Sequence, residues 1–156
     1  SLSALDVDFN DELEFSFAEL SDTQWLAEWK DSFNKELLDK SQQPPMSEIV
    51  EYMKLRINKD AVAVLKLDNV AVATASYSHI DNIARINFVY TPKEFRKHGY
   101  AKELVKRLSD YILNNKKLER CVLISDADDK TANALYKSVG YKARAGFTYY
   151  VQKEFL

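Results

Sequence analysis

Between residues 61 and 91 the chain contains three apolar runs, each separated from the next by two polar residues. This feature constrains the fold more than any other. The runs are AVAVLKL (61–67), VAVATASYSHI (70–80) and IARINFVYT (83–91). They are short, rich in β-branched residues and bounded by turn formers, which is the signature of strands. Asp68-Asn69 and Asp81-Asn82 fill the breaks. Asp and Asn tolerate the left-handed backbone that two-residue hairpin turns require. Strands joined so tightly must be antiparallel neighbours, because a parallel pair needs a long crossover. An antiparallel meander is therefore expected at the centre of the molecule, broken at Pro92.

The flanks follow a helical period. From Gly99 onward, Ala101, Leu104, Val105, Leu108 and Ile112 fall on one face of a helix. Lys102, Glu103, Lys106, Arg107 and Asp110 fall on the other. RCVLISDA then reads as a short strand of the parallel, doubly covered kind. A helix from about Lys130 to Val139 meets Gly140, where a left-handed cap is needed. YKARAGFTYYVQKEF supplies one or two closing strands with a turn or bulge near Gly146. Upstream, LEFSFAEL alternates as a first strand, and Ser21 or Asp22 can cap a helix carrying Trp25, Trp29, Phe33 and Leu37. That aromatic stripe reads as core, with a pocket wall or a homodimer contact as alternatives. SQQPP ends the helix, and Ser47 can cap a second with Ile49, Val50, Met53 and Ile57 inward. The order is β-α-α-β-β-β-α-β-α-β-β. The expected fold class is α+β, a central mixed, mostly antiparallel sheet flanked by helices. The reading is a single domain over 1–156, with 1–12 less ordered.

Several function classes drop out. Cys121 is the only cysteine and stands in the apolar run CVLI. It can form no internal disulfide and reads as a buried, inert thiol. With two histidines besides, no dedicated metal site is expected. No apolar stretch approaches the length of a membrane span and no signal peptide is visible, so a cytoplasmic protein without a membrane partner is the simplest expectation. Ser1 leaves open a natural chain that extends upstream. Residues 1–81 hold 7 Lys+Arg against 16 Asp+Glu, while residues 82–156 hold 15 against 8. The basic half suits a phosphate-bearing partner. It carries no helix-turn-helix, zinc or RNP motif, so no nucleic-acid partner is expected.

The stretch FRKHGYAKEL (95–104) holds one of only three glycines. It joins the third strand of the meander to a helix. The first N–H groups of a helix lack internal partners, and the helix dipole adds positive potential there. Phosphate oxygens can accept from those groups. Glycine lets the backbone approach an anion closely, and Arg96, Lys97 and His98 add donors. Neither GxxxxGK[ST] nor GxGxxG occurs. On its own the stretch also reads as an ordinary loop with solvated cations.

The surroundings decide between these readings. VYTPKEFRKHGYAKEL, followed some thirty residues later by DDKTANALYKSVGY, resembles the GCN5-related N-acetyltransferase (GNAT) superfamily. The acyl-CoA motif [QR]-x-x-G-x-[GA] appears as Arg96-Lys97-His98-Gly99-Tyr100-Ala101. The second motif, N-x-x-[AS]-x-x-x-Y followed by G[FY], appears as Asp129 to Tyr136 with Gly140-Tyr141. The VYTP and GYA spelling, with LY…GY, is close to that of a bacterial branch. The resemblance is specific over roughly residues 83–141, and it assigns the acyl-CoA core to 61–150.

The resemblance implies an acetyl-CoA-dependent N-acetyltransferase acting on a small-molecule or peptide amine by direct attack. It implies that backbone N–H groups from Arg96 to Ala101 hold the pyrophosphate of coenzyme A. Val89, Tyr90 and Thr91 would pair with the pantetheine arm. Tyr136 would protonate the leaving thiolate, and Asn133, on the same helix face, would touch the cofactor. Lys97 stands where the family often has glycine, and Asp129 where it usually has asparagine. An aspartate can only accept where the asparagine would donate, though it caps a helix well. From spacing alone, Tyr136 would read as core. A non-catalytic acyl-CoA-binding module on the same fold is the alternative.

Overall fold

Seven strands form one sheet in the computed structural model of the protein, which describes residues 8–126, 128–144 and 148–152. The elements are β1 (Leu13–Phe17), α1 (Thr23–Leu37), α2 (Met46–Asn58), β2 (Val62–Leu67), β3 (Val70–Ile80) and β4 (Ile83–Tyr90). There follow α3 (Tyr100–Asp110), β5 (Arg120–Ile124), α4 (Lys130–Val139), β6 (Lys142–Arg144) and β7 (Thr148–Gln152). The order matches the expectation element for element. Across the sheet the strands run β1-β2-β3-β4-β5-β7-β6. Only β4 and β5 are parallel; every other neighbouring pair is antiparallel.

The meander forms where the sequence placed it. Asp68 and Asn69 both have positive φ, 49° and 66°, so the β2–β3 turn is of the primed kind that matches strand twist. Leu67 then faces Val70, and Ile80 faces Ile83 across the second turn. Period-two alternation splits β2 between two cores. Ala63 and Leu65 pack with Leu104, Val105 and Leu108 of α3 and with Ile112 in the π turn that follows it. Val62 and Val64 pack with α1 and α2 through Leu26, Met53 and Ile57. Leu104 and Leu108 are fully buried, and truncating either to alanine should cost about 2–5 kcal/mol. Helix α4 joins the α3 face through Val139, with Tyr141 beside it.

Three local readings are corrected. Helix α2 starts at Met46 after Pro45, so Ser47 lies inside its first turn and does not cap it. Helix α1 starts after a 3-10 turn at Leu20–Asp22; Asp22 precedes it in a helical conformation and makes no side-chain cap. The stripe on α1 holds for three residues of four: Trp25, Trp29 and Phe33 pack on the second core, but Leu37 is 66% exposed. Gly140 has φ 117° at the end of α4, the left-handed cap expected. Gly146 lies outside the described residues. Among the described residues no helix is long and apolar enough to cross a membrane.

Candidate active site

The site begins with a parting of two strands. β4 and β5 pair only through Ile83–Arg85 and Arg120–Val122. From Ile86 to Tyr90, β4 has no partner on that side. Backbone groups left unpaired in this way form a free strand edge inside the protein. The cause is partly a bulge: Ser76 faces Phe88 while Tyr77 faces Ile86, so Asn87 is the extra residue. A bulge bends its strand and flips the side-chain alternation beyond it. Ile86 accordingly packs in the α3 core and Phe88 in the α1/α2 core. The Asn87 amide donates to the Ser78 hydroxyl at 2.9 Å, which pins the bulge.

Between the parted strands lies a cleft of about 770 Å³. Val89, Tyr90 and Thr91 line one wall, Leu123, Ser125 and Tyr136 the other, and Lys97, Gly99 and Ala101 one end. The Thr91 hydroxyl is buried and meets no protein partner. A buried hydroxyl without a partner is costly, which suits a residue that meets a ligand.

The turn at the cleft's end has two residues in the left-handed region. Gly99 has φ 79°, and a Cβ added there would meet nothing within 4 Å. Its glycine is therefore required by the backbone angle, and the space above it is open. Lys97 has φ 68°. The family's frequent glycine at this position thus corresponds to a real backbone demand, which the lysine meets under strain. Gly99 supplies no side-chain cap to α3, so the first-turn N–H groups face the cleft end without one.

Arg96 is committed elsewhere. Its Nε donates to the Thr91 carbonyl at 2.8 Å, and a terminal nitrogen donates to both oxygens of Glu36 at 2.8 and 3.1 Å. The guanidinium also lies 5.7 Å from the Tyr90 ring centroid. The side chain braces the turn against α1 and the end of β4. His98 is not among the residues that line the cleft: its Nδ1 lies 3.0 Å from the Arg96 carbonyl and its ring stacks on Tyr100. Tyr100 and Ala101 line the cleft.

Tyr136 stands on α4 and reaches the cleft wall, with its ring 5.8 Å from Tyr149 and 6.3 Å from Tyr141. Burial, and then the Asp129 carboxylate, push its pKa up to about 12. The phenol is held protonated across the neutral range. Asp129 caps α4, accepting from the Ala132 N–H at 3.0 Å. Asn133 is not on the cleft wall; its amide donates to the Asp126 carbonyl at 3.1 Å. Cys121 is fully buried, accepts from the Tyr141 hydroxyl at 3.1 Å and has its pKa pushed up to about 12 by burial. It is no nucleophile.

The sequence reading missed Glu36 and Asn87. Glu36 meets Arg96 only through the fold, and nothing in its local pattern marks it. Asn87 had one available signal: polar residues break the apolar run of β4 there, as at a bulge.

A sequence model described as the acetyltransferase (GNAT) family matches residues 16–141. No curated protein matches the chain in sequence. Solved structures share its fold at low identity. The spermidine N-acetyltransferase of Vibrio cholerae, in complex with CoA and spermine, superposes with a TM-score of 0.75 at 16% identity, covering 92% of this chain and 97% of that one. The ribosomal L7/L12 alpha-N-protein acetyltransferase RimL, in complex with coenzyme A, gives 0.75 at 16% identity over 94% and 97%. An N-acetyltransferase from Staphylococcus aureus Mu50 gives 0.72 at 13% over 90% and 98%.

Proposed function

The chain belongs to the acetyltransferase (GNAT) family, matched over most of its length, and from that premise we propose that it transfers an acetyl group from acetyl-CoA to an amine by direct attack. The parting of β4 from β5 carries this reading. It opens one cleft with an anion-suited turn at its end, a free strand edge along its wall and a protonated phenol beside it.

These residues fit the group. The backbone from Lys97 to Ala101 would hold the pyrophosphate, with Gly99 keeping the approach open. The edge of β4 at Val89, Tyr90 and Thr91 would pair with the amide-bearing arm as another strand would. Bound there, acetyl-CoA supplies the acyl group in activated thioester form. A free N–H on the β4 edge can stabilise negative charge developing on a carbonyl oxygen. Tyr136, whose pKa burial pushes up to about 12, can donate its proton to a departing thiolate. No covalent intermediate on the protein is required, in keeping with the inert Cys121.

Two structural relatives act on amines by their names, spermidine in one and a protein N-terminus in the other. An amine acceptor is therefore the class to screen. The test is calorimetric titration of acetyl-CoA and CoA into the protein, then thiol release across an amine panel. Micromolar binding and acceptor-dependent release support the reading. Binding without release from any amine would favour the non-catalytic module, and no binding by a folded sample would sink both.

A further inference from the structure

Lys30 lies on α1 one turn before Phe33. Its Nζ is 4.7 Å from the ring centroids of Phe33 and Phe88 and 5.9 Å from that of Tyr52 on α2. Phe33 and Phe88 both line the cleft. The ammonium therefore stands against two rings that line the cleft, while Lys30 and Tyr52 themselves do not line it. Among the described residues no carboxylate pairs with it. Asp31, next along the chain, is taken by Lys35 at 2.8 Å. Glu36, the acid of α1 that lines the cleft, is held by Arg96. Asp126 and Asp129 line the cleft from the α4 side, and Asp129 is engaged in capping.

The side of the sheet matters. The Gly99 turn leads into α3, which packs on one face. A cofactor held at that turn and along β4 fills the cleft from there. Phe33 and Phe88 belong to the other face, that of α1 and α2, and Lys30 on α1 lies against both rings. An acceptor that approaches from the side the cofactor leaves open would pass Phe33 and Phe88, the rings on which the Lys30 ammonium rests.

We propose that Lys30 receives a carboxylate of the acceptor, so that the amine acetylated belongs to a carboxylate-bearing molecule of the amino-acid or peptide kind and not to a polycation. This rests on the acetyl-transfer reading above and narrows it. Aromatic faces attract a cation, but they bring no counter-charge. Burial accordingly lowers the Lys30 pKa from its ordinary value. An incoming carboxylate supplies the missing partner through a charge-assisted hydrogen bond. A second cation against the same rings would be repelled.

The probes are 3-phenylpropionate and 3-phenylpropionamide, matched in shape and differing in charge. Each is titrated calorimetrically into the protein, with and without saturating CoA. The acid should bind about tenfold tighter than the amide or better. Lys30→Gln should erase that advantage and Lys30→Arg should retain most of it. Equal binding of the two probes overturns the proposal, as does an advantage that survives in Lys30→Gln. CoA titrated into the same samples reports separately on the cofactor reading. A chain that fails to bind CoA still answers for Lys30 through the CoA-free titrations.

Discussion

Arg96 in the cleft turn and Glu36 on α1, sixty residues apart, are joined by hydrogen bonds of 2.8 and 3.1 Å from one guanidinium nitrogen to both carboxylate oxygens. The same side chain holds the Thr91 carbonyl through Nε. Both partners of the ion pair are more than a third exposed, so the pair itself adds at most about 1 kcal/mol to stability. Its consequence is positional: it fixes the turn relative to the end of β4.

If Arg96 acts as a brace, charge alone cannot replace it. A lysine keeps the charge but loses the planar fork that reaches Thr91 and Glu36 together. Arg96→Lys should therefore weaken CoA binding about as much as Arg96→Ala, roughly fivefold for a loss near 1 kcal/mol. Calorimetry on the two variants decides it. A lysine variant that binds like the wild type would instead make Arg96 a point charge for phosphate.

Lys97 and Gly99 make opposite predictions from the same backbone region. Lys97 holds φ 68° with a side chain that disfavours it. Lys97→Gly should remove about 1–2 kcal/mol of strain against about 0.5–1 kcal/mol of added chain entropy. The net is a gain between zero and about 1.5 kcal/mol. Gly99→Ala, in open space at φ 79°, should lose about 1–2 kcal/mol from the angle alone. Gly99→Glu should in addition abolish CoA binding, because its side chain occupies the approach. Urea unfolding and CoA titration of the three variants test this; a destabilised Lys97→Gly would contradict the strain argument.

The legibility of this chain follows the range of its interactions. The meander, α3, and the Gly140 cap were readable because period, turn chemistry and caps are local. Ser47 and Leu37 were misplaced because helix starts shift with neighbouring turns, and because a helical stripe does not say where its last turn leaves the core. The Gly99 turn was visible from its sequence, and the structure adds that Lys97 shares its left-handed backbone. The brace to Glu36, the contact of His98 with the Arg96 carbonyl and the engagement of Asn133 with the Asp126 carbonyl were not visible. The first depends on a side chain sixty residues away that only the fold brings close, and the other two on the course of the backbone through the turn and before α4, which side-chain spacing does not carry.

Tyr136 gives a pH signature. Its pKa of about 12 reflects burial first and the Asp129 charge second. A phenol acting as proton donor stays competent until it ionises, so the alkaline limb of kcat should not fall through pH 10, the ordinary tyrosine value. Tyr136→Phe should lower kcat by about a hundredfold while changing CoA affinity little. A fall in wild-type kcat centred near pH 10, or full activity in Tyr136→Phe, would remove the residue from the donor role.

Alkaline stability should be governed by the buried trio of Ser109, Tyr141 and Cys121. The Tyr141 hydroxyl lies 2.6 Å from Ser109 Oγ and 3.1 Å from Cys121 Sγ. Burial raises the thiol from its ordinary 9.0 to about 12 and raises the phenol well above 10.0. The folded state thus keeps protons that the unfolded state gives up. This contribution is fully present below about pH 9 and is lost as pH rises toward about 12. Thermal melts should begin to drop from pH 9. In Cys121→Ala the onset should move to about pH 10, where the tyrosines take over. An unchanged onset would mean that the thiol does not set it.

The outer face of α3 holds a buried carboxylate whose loss should be felt at a distance. Glu103 accepts from Arg107 Nε at 2.7 Å and from the Asn10 backbone N–H at 2.8 Å, and its other oxygen lies 3.6 Å from Lys106. Lys106 and Arg107 in turn donate to the carbonyls of Asp8 and Asn10, and both lie over the Phe9 ring. All three charged side chains are less than 15% exposed. Removing the one acid leaves two shielded cations facing each other, which costs about 3 kcal/mol or more. Glu103→Ala should show that loss in urea unfolding and should make the backbone between residues 8 and 12 newly sensitive to protease. Glu103→Gln keeps an acceptor for Asn10 and should lose about half as much. Replacing Lys106 by methionine in the Glu103→Ala background relieves one of the stranded cations, so the double variant should recover part of the stability. A double variant no better than Glu103→Ala would mean that packing, and not charge, sets the cost.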